Sequence, residues 1–241
     1  MLLYTAKAYQ FKQISETLKD ILSECWFVFE MEHFTMKNVD PEKVVSVDLF
    51  VKPPRKDYNC TTRFVFPFYI QTLYRIFRGV RPNDMATIQD NHGDGLIITI
   101  HTDKGVVKNV ITMKPLNSPV ISFESRPVVH HISVEFECSQ LYSILRDLSS
   151  ISRRVTLEVK EQDIIFTSED DYGTISTCSQ FFPVINHHYL FKKTYLAKYL
   201  EKFSKPGLGM KIFMRLANDY PLEMLYNLEH GSLTMSISPS D

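Results

Sequence analysis

At 241 residues the chain has room for one large domain or two of ordinary size. It is 44% hydrophobic and 23% charged, the balance of an ordinary globule, and its formal net charge of −1 argues against a binder held to nucleic acid by bulk positive charge. No apolar run reaches the roughly 18 residues of a membrane span. Cys25, Cys60, Cys138 and Cys178 form no CxxC pair and no signal peptide pattern opens the chain, so a reducing, intracellular compartment is the expectation.

Residues 9–22 place Phe11, Ile14, Leu18, Ile21 and Leu22 at helical spacing, with Lys12 and Lys19 seven apart on the exposed side. Trp26-Phe27-Val28-Phe29 reads as a strand, and Val45–Val51 alternates apolar and polar residues at period two. A second helix is predicted from Phe68 to Gly79, with Arg75, Arg78 and Arg81 opposite Leu73, Ile76, Phe77 and Val80. The turn Asp90–Gly95 leads into a strand at Leu96–Ile100, and another strand follows at Val106–Met113. Residues 114–130 hold Pro115, Pro119 and Pro127 without periodicity and read as a linker. The second half repeats the order. A strand at Ile132–Phe136 precedes a helix with Leu141, Ile144, Leu145 and Leu148 inward, strands run through Val159 and Phe166, and a basic helix spans Thr194–Phe203. Strands at Lys211–Leu216, Glu223–Leu228 and Leu233–Ile237 close the chain.

Two segments make the repeat concrete: Leu18-Lys19-Asp20 before Trp26–Phe29, and Leu145-Arg146-Asp147 before Val155–Val159, with Lys19 and Arg146 127 positions apart. Charge follows the helices. The windows 9–22, 68–81, 139–150 and 192–205 carry formal charges of 0, +3, 0 and +4, which leaves −8 for the remainder of the chain. A solvated helix face ordinarily mixes signs to gain i,i+4 pairs, yet Glu201 is the only acid between Lys192 and Lys205. A basic helical layer facing a polyanion accounts for that segregation.

Leu18-Lys19-Asp20, then Trp26, then Phe34-Thr35-Met36-Lys37-Asn38-Val39-Asp40 leading into the strand at Val44–Val51 resembles the first domain of eukaryotic-type DNA sliding clamps, the proliferating cell nuclear antigen family. Leu145–Ile151 is similar to that family's second-domain helix, and Asn218-Asp219-Tyr220-Pro221-Leu222-Glu223 to its strand-initiating turn near the C-terminus. The order and spacing of several motifs carry the resemblance, which is collinear over nearly the whole chain. It implies an α+β DNA clamp fold with two similar domains, 1–113 and 131–241, each with two helices packed on antiparallel sheets and joined by an interdomain connector at 114–130. It further implies a homotrimeric ring around double-stranded DNA, with helices on the channel wall and Lys12, Lys19, Arg75, Arg78, Arg146, Lys198, Lys202 and Lys205 against phosphates.

By the same resemblance Val39, Val44, Val120, Ile121, Phe123, Pro127, Pro221, Ile237 and Pro239 surround a pocket for the clamp-binding motifs of a DNA polymerase and other proteins. A clamp loader is a further implied partner. Ring closure would join the edge strands at Val106–Met113 and Ile175–Gln180. The expected protein is not an enzyme, takes no cofactor or metal, contacts no membrane, and works in the nucleus of a eukaryotic cell or, if viral, at the host nucleus or replication site. Ser46 departs from the large apolar residue usual in the family, and the near-neutral charge departs from its strongly acidic members, which suggests a diverged lineage such as a large DNA virus. The alternative that keeps the fold is an interaction subunit of a checkpoint-type heterotrimer or a transcription accessory factor.

Other sites fail on chemistry. Asp90–Gly95 partly mimics a calcium loop, but His92 and His101 stand where oxygen ligands are needed. His130-His131 and His187-His188 point to opposite faces of a strand, and Glu169-Asp170-Asp171 reads as a solvated turn. No P-loop, GxSxG or Cys/His/Asn pattern is present.

Overall fold

The structure is a computed structural model that describes residues 1–118, 130–160, 163–171, 173–180 and 191–240. The first half runs β1 (Leu2–Lys7), α1 (Ala8–Leu18), β2 (Glu24–Phe29), β3 (Phe34–Val39), β4 (Val45–Val51), β5 (Tyr58–Cys60), β6 (Phe64–Tyr69), α2 (Ile70–Phe77), β7 (Met85–Asp90), β8 (Leu96–His101) and β9 (Val107–Met113). The second half runs β10 (Ile132–Glu137), α3 (Cys138–Ser149), β11 (Arg154–Lys160), β12 (Asp163–Asp170), β13 (Gly173–Gln180), β14 (Phe191–Leu196), α4 (Ala197–Ser204), β15 (Lys211–Leu216), β16 (Leu222–Leu228) and β17 (Gly231–Ile237). No helix among the described residues is long and apolar enough to cross a membrane.

Two compact units form. One holds Met1–Pro41, Val47–Phe123 and Leu228–Leu233; the other holds Glu42–Ser46, Glu124–Asn227 and Thr234–Asp241. In the first half β5-β1-β7-β8-β9 make one antiparallel sheet, and a second follows the order β4-β3-β2-β6. The second half repeats both layers as β10-β15-β16-β17 and β13-β12-β11-β14. The fold is therefore α+β, a helix pair on antiparallel strands, twice.

The first core is aromatic. Tyr4 meets Phe11, Phe34 and Tyr58 at 6.0, 5.3 and 5.6 Å, Phe27 stacks on Phe68 at 4.5 Å, and Phe11 stacks on Phe77 at 5.1 Å, joining α1 to α2. The second is largely aliphatic, with the Phe136/Phe166 and Phe203/Tyr226 contacts at 6.0 and 5.3 Å. The Tyr226 hydroxyl donates to the Phe203 carbonyl at 2.9 Å, which satisfies a wholly buried phenol.

Every helix leaves a strand without a loop. The residues preceding them, Lys7, Tyr69, Glu137 and Leu196, are extended and supply no side-chain cap. The first helical N–H groups are instead taken by backbone carbonyls of distant turns: Ala8 donates to Asp84, Ile70 to Ser23, Cys138 to Met210 and Ala197 to Arg153, at 2.8 to 2.9 Å. This explains two differences from the sequence reading. The helix predicted at Phe68–Gly79 begins at Ile70, because Phe64–Tyr69 alternates as a strand paired to β2. Pro67 is tolerated there because β6 lies at the end of the strand order, where its missing N–H breaks no ladder. The helix predicted from Thr194 begins at Ala197 for the same reason, with Thr194–Leu196 paired to β11.

Asp84 ties the first helix pair down. Its carboxylate accepts the Arg81 N–H at 2.8 Å and the Lys108 ammonium at 2.6 Å, while its carbonyl caps α1. The Arg81 N–H, then Lys108, hold its carboxyl below the usual aspartate range. A depressed folded-state pKa gives stabilisation that is complete above the ordinary value of 3.8 and lost as pH falls through the folded one. Asp84→Asn should therefore cost about 2 kcal/mol in urea unfolding at pH 7, and the gap to the parent protein should narrow as acid protonates Asp84. A gap that persists unchanged in acid would contradict this role. Gly231 is fixed by close approach: a Cβ there would sit 1.9 Å from the Phe50 carbonyl oxygen, whereas one at Gly207 would meet nothing within 4 Å. Gly231→Ala should lose about 3 kcal/mol by denaturant unfolding, and Gly207→Ala should leave stability within about 1 kcal/mol.

Candidate nucleic-acid interface

The buried stripe of α1, with Ala8, Phe11, Ile14, Ser15 and Leu18, leaves Tyr9, Lys12, Glu16 and Lys19 in line on the opposite side, at spacings of three, four and three. Lys12 Nζ lies 5.6 Å from the Tyr9 ring centroid. Lys19, the C-cap, sets its Nζ 4.0 Å over the Tyr74 ring of α2, and its carbonyl accepts Gln71 Nε2 at 3.1 Å. Helix α2 buries Ile70, Leu73 and Phe77 and exposes Arg75 in its last turn and Arg78 at its C-cap, where the helix dipole favours cations. Among the described residues no carboxylate pairs with either arginine.

In the second unit α3 buries Cys138, Leu141, Leu145 and Leu148 and presents Ser139, Tyr142, Arg146 and Ser149. The Arg146 guanidinium lies 5.9 Å from the Tyr142 ring and 3.2 Å from the Asp147 carboxylate. On α4 the exposed Lys198 pairs with Glu42 at 2.6 Å and lies 4.6 Å from the Tyr199 ring. Lys202 occupies the last turn, and Lys205 is the C-cap with extended backbone, just outside the helix. Exposed pairs of this kind contribute about 0 to 1 kcal/mol, so an incoming phosphate can displace the carboxylate.

The structure corrects the register of the repeat. Ala8 answers to Cys138, Phe11 to Leu141 and Leu18 to Leu148, a separation of 130, so the counterpart of Lys19 is Ser149 and that of Arg146 is Glu16. The second helices are separated by 127, which matches Arg75 to Lys202 and Arg78 to Lys205. The Lys19/Tyr74 contact is therefore replaced in the second unit by a hydrogen bond from Ser149 Oγ to Glu201 at 2.8 Å. The shared Leu-basic-Asp triplet matches residues one helical turn apart, because triplet likeness weighs identity while folding weighs the buried stripe. The equivalence drawn between Lys19 and Arg146 does not hold. What the two units share is cations on the exposed side of each helix pair.

Of the pocket residues, Val120, Ile121, Phe123 and Pro127 lie outside the described residues. Val39 ends β3 in the first unit and is half-exposed. In the second unit Ser238 N donates to the Val44 carbonyl at 2.9 Å, which brings Val44 beside the Ile237–Pro239 segment, with Val44, Pro221 and Pro239 half-exposed. Ile237 is 0% exposed and faces the core, so it can shape such a surface only from beneath. The sequence reading missed the tyrosines beside the cations. Tyr9/Lys12 and Tyr142/Arg146 have the helical spacing that signals them, whereas Tyr74/Lys19 spans two helices and leaves no local trace.

Such a surface can hold phosphates, and among the described residues no three His, Cys, Asp or Glu side chains gather as a metal site. Comparison with known proteins agrees with the duplicated architecture. Residues 3–124 match the family model for the N-terminal domain of proliferating cell nuclear antigen, and residues 123–240 match that for its C-terminal domain. The proliferating cell nuclear antigen of Saccharomyces cerevisiae is 22% identical over 243 residues, covering 95% of this chain and 93% of the yeast protein. A probable DNA polymerase sliding clamp of Autographa californica nuclear polyhedrosis virus is 21% identical over 95% of this chain and 91% of its own length. The DNA polymerase sliding clamp of Pyrococcus horikoshii is 21% identical over 96% and 95%. With both domain models matched end to end on a twice-repeated helix pair and its sheets, the chain belongs to the proliferating cell nuclear antigen family of sliding clamps.

Proposed function

We propose that this chain is a non-enzymatic DNA sliding clamp that closes as a homotrimeric ring around duplex DNA and tethers a polymerase and other replication and repair proteins. The observation that carries the proposal is the helix pair in each unit that buries one stripe and turns cations outward. Lys12, Lys19, Arg75, Arg78, Arg146, Lys198, Lys202 and Lys205 are assigned to phosphates, a contact that positions the duplex without reading its sequence. Domain boundaries at 1–113 and 131–241 with a connector at 114–130, the pocket formed by Val39, Val44, Val120, Ile121, Phe123, Pro127, Pro221 and Pro239 over Ile237, a clamp loader, and work at a nuclear replication site complete the reading. Self-assembly is supported by β9 and β13, which end their strand orders and expose Val107, Val110 and Ile175.

Retention is the direct test. After loading, the protein should remain on closed circular DNA and leave once the circle is cut, and its mass in solution should be that of three chains. Equal loss from both DNAs would sink the reading, and a stable monomer at micromolar concentration would favour a heterotrimer subunit.

The helix cations should not contribute equally. Arg75→Ala with Arg78→Ala should weaken binding to a short duplex at low salt by about tenfold and lower the salt slope by about two. Arg146→Ala, which must first leave Asp147, should cost less than Arg75→Ala or Arg78→Ala alone. Equal losses would show that the carboxylate pairing in the second unit does not persist in solution.

A further inference from the structure

We propose that Tyr9, Tyr74 and Tyr142 belong to the duplex-contacting surface, each holding a neighbouring cation against its ring and donating its phenolic hydroxyl to a DNA phosphate. The inference rests on the sliding-clamp reading and adds neutral contacts to one so far built on charge alone.

The described cation–ring contacts all fall on the four helices. They are Lys12 on Tyr9, Lys19 on Tyr74, Arg146 on Tyr142 and Lys198 beside Tyr199. Tyr199 is 4% exposed and belongs to the core, so its contact with Lys198 is lateral. The other three rings are half-buried, and Tyr9 and Tyr142 stand outside the buried stripes of α1 and α3, so core packing does not account for them.

The exposed stripes of α1 and α3 strengthen the case. On α1 the tyrosine and cation take the first and second places of the exposed stripe, Tyr9 and Lys12; on α3 they take the second and third, Tyr142 and Arg146. The residues shift along the stripe, but a ring beside a cation is kept. The Tyr58 hydroxyl lies 2.7 and 2.9 Å from the carbonyls of Glu30 and His33, which share its proton, Tyr226 donates to the Phe203 carbonyl, and the wholly buried Tyr195 hydroxyl has no partner. Tyr9, Tyr74 and Tyr142 also make no hydrogen bond through the hydroxyl among the described residues, but they are half-buried on the exposed helix sides. Three phenols beside helix cations are left to a ligand or to water.

Phosphate oxygens are the ligand this chemistry suits. A ring face attracts an ammonium or guanidinium and restrains its long side chain, so less conformational freedom is lost when the cation meets a phosphate. A phenolic O–H donates to the same oxygens, as tyrosines do at DNA backbones. Because it is neutral it displaces no counterion, and it adds affinity that salt does not erode.

The test uses the full chain and a duplex of about 20 base pairs, with binding followed by fluorescence anisotropy at several salt concentrations. The triple variant Tyr9→Phe, Tyr74→Phe, Tyr142→Phe keeps the rings and removes the hydroxyls. It should bind about tenfold more weakly at every salt concentration, with an unchanged slope of log affinity against log salt. The triple Leu variant should bind more weakly still, since the cations lose their rings. Unchanged affinity in the Phe variant, a loss confined to low salt, or equal binding by the Phe and Leu variants would each overturn the proposal. Thermal melting and mass in solution, which the Phe changes should leave alone, separate contact from folding. If the unsubstituted protein, once loaded, leaves closed circular DNA as fast as cut DNA, the clamp reading falls, an outcome distinct from any of these.

Discussion

Each helix pair has one apolar stripe to bury, and that constraint settles most of what the molecule shows to its surroundings. Phe11, Ile14 and Leu18 with Leu73 and Phe77 must leave water together, and the 5.1 Å stack of Phe11 on Phe77 locks the two helices in one rotational setting. Once that setting is fixed, Lys12, Lys19, Arg75 and Arg78 have no freedom to turn inward. The second unit reaches the same result with Leu141, Leu145, Leu148 and Leu200. Cationic surface is thus a consequence of core packing.

The parts of this arrangement that were legible in the sequence are those written in local pattern. Alternation at Val45–Val51 and the stripe of α1 could be read directly, because burial on one side imposes a period. Helix starts could not. Ala8, Ile70, Cys138 and Ala197 are capped by carbonyls of Asp84, Ser23, Met210 and Arg153, turns that lie up to 76 residues away, so no Ser, Thr, Asp or Asn marks the boundary. The repeat was visible, but its register was not. Identity between Leu18-Lys19-Asp20 and Leu145-Arg146-Asp147 pointed to a separation of 127, whereas Phe11 and Leu141, unlike in type, share a burial position and set it at 130.

The two units spend their charge differently. In the first, Lys19 rests on the Tyr74 ring, and Arg75 and Arg78 face no carboxylate among the described residues, so neither arginine is offset by a paired acid. In the second, Arg146 leans on Asp147, Lys198 on Glu42, and Ser149 with Glu201 occupies the place of Lys19 and Tyr74. Rings hold a cation without cancelling it; carboxylates hold it and do cancel it. A phosphate approaching Arg146 or Lys198 must first displace an acid, a step that Arg75 and Arg78 do not impose.

On the proposed reading, that difference suits a protein that holds DNA without gripping it. The ring supplies retention by enclosure, so each phosphate contact can be weak enough that the duplex does not rest at one place. A wall of unpaired lysines and arginines would bind through counterion release, and its affinity would swing steeply with salt. Pairing part of the charge with carboxylates and replacing part with neutral phenols lowers the number of ions released while leaving the number of contacts high. The near-neutral chain is then consistent with an interface whose cations are few, partly balanced, and held by rings that cost no charge.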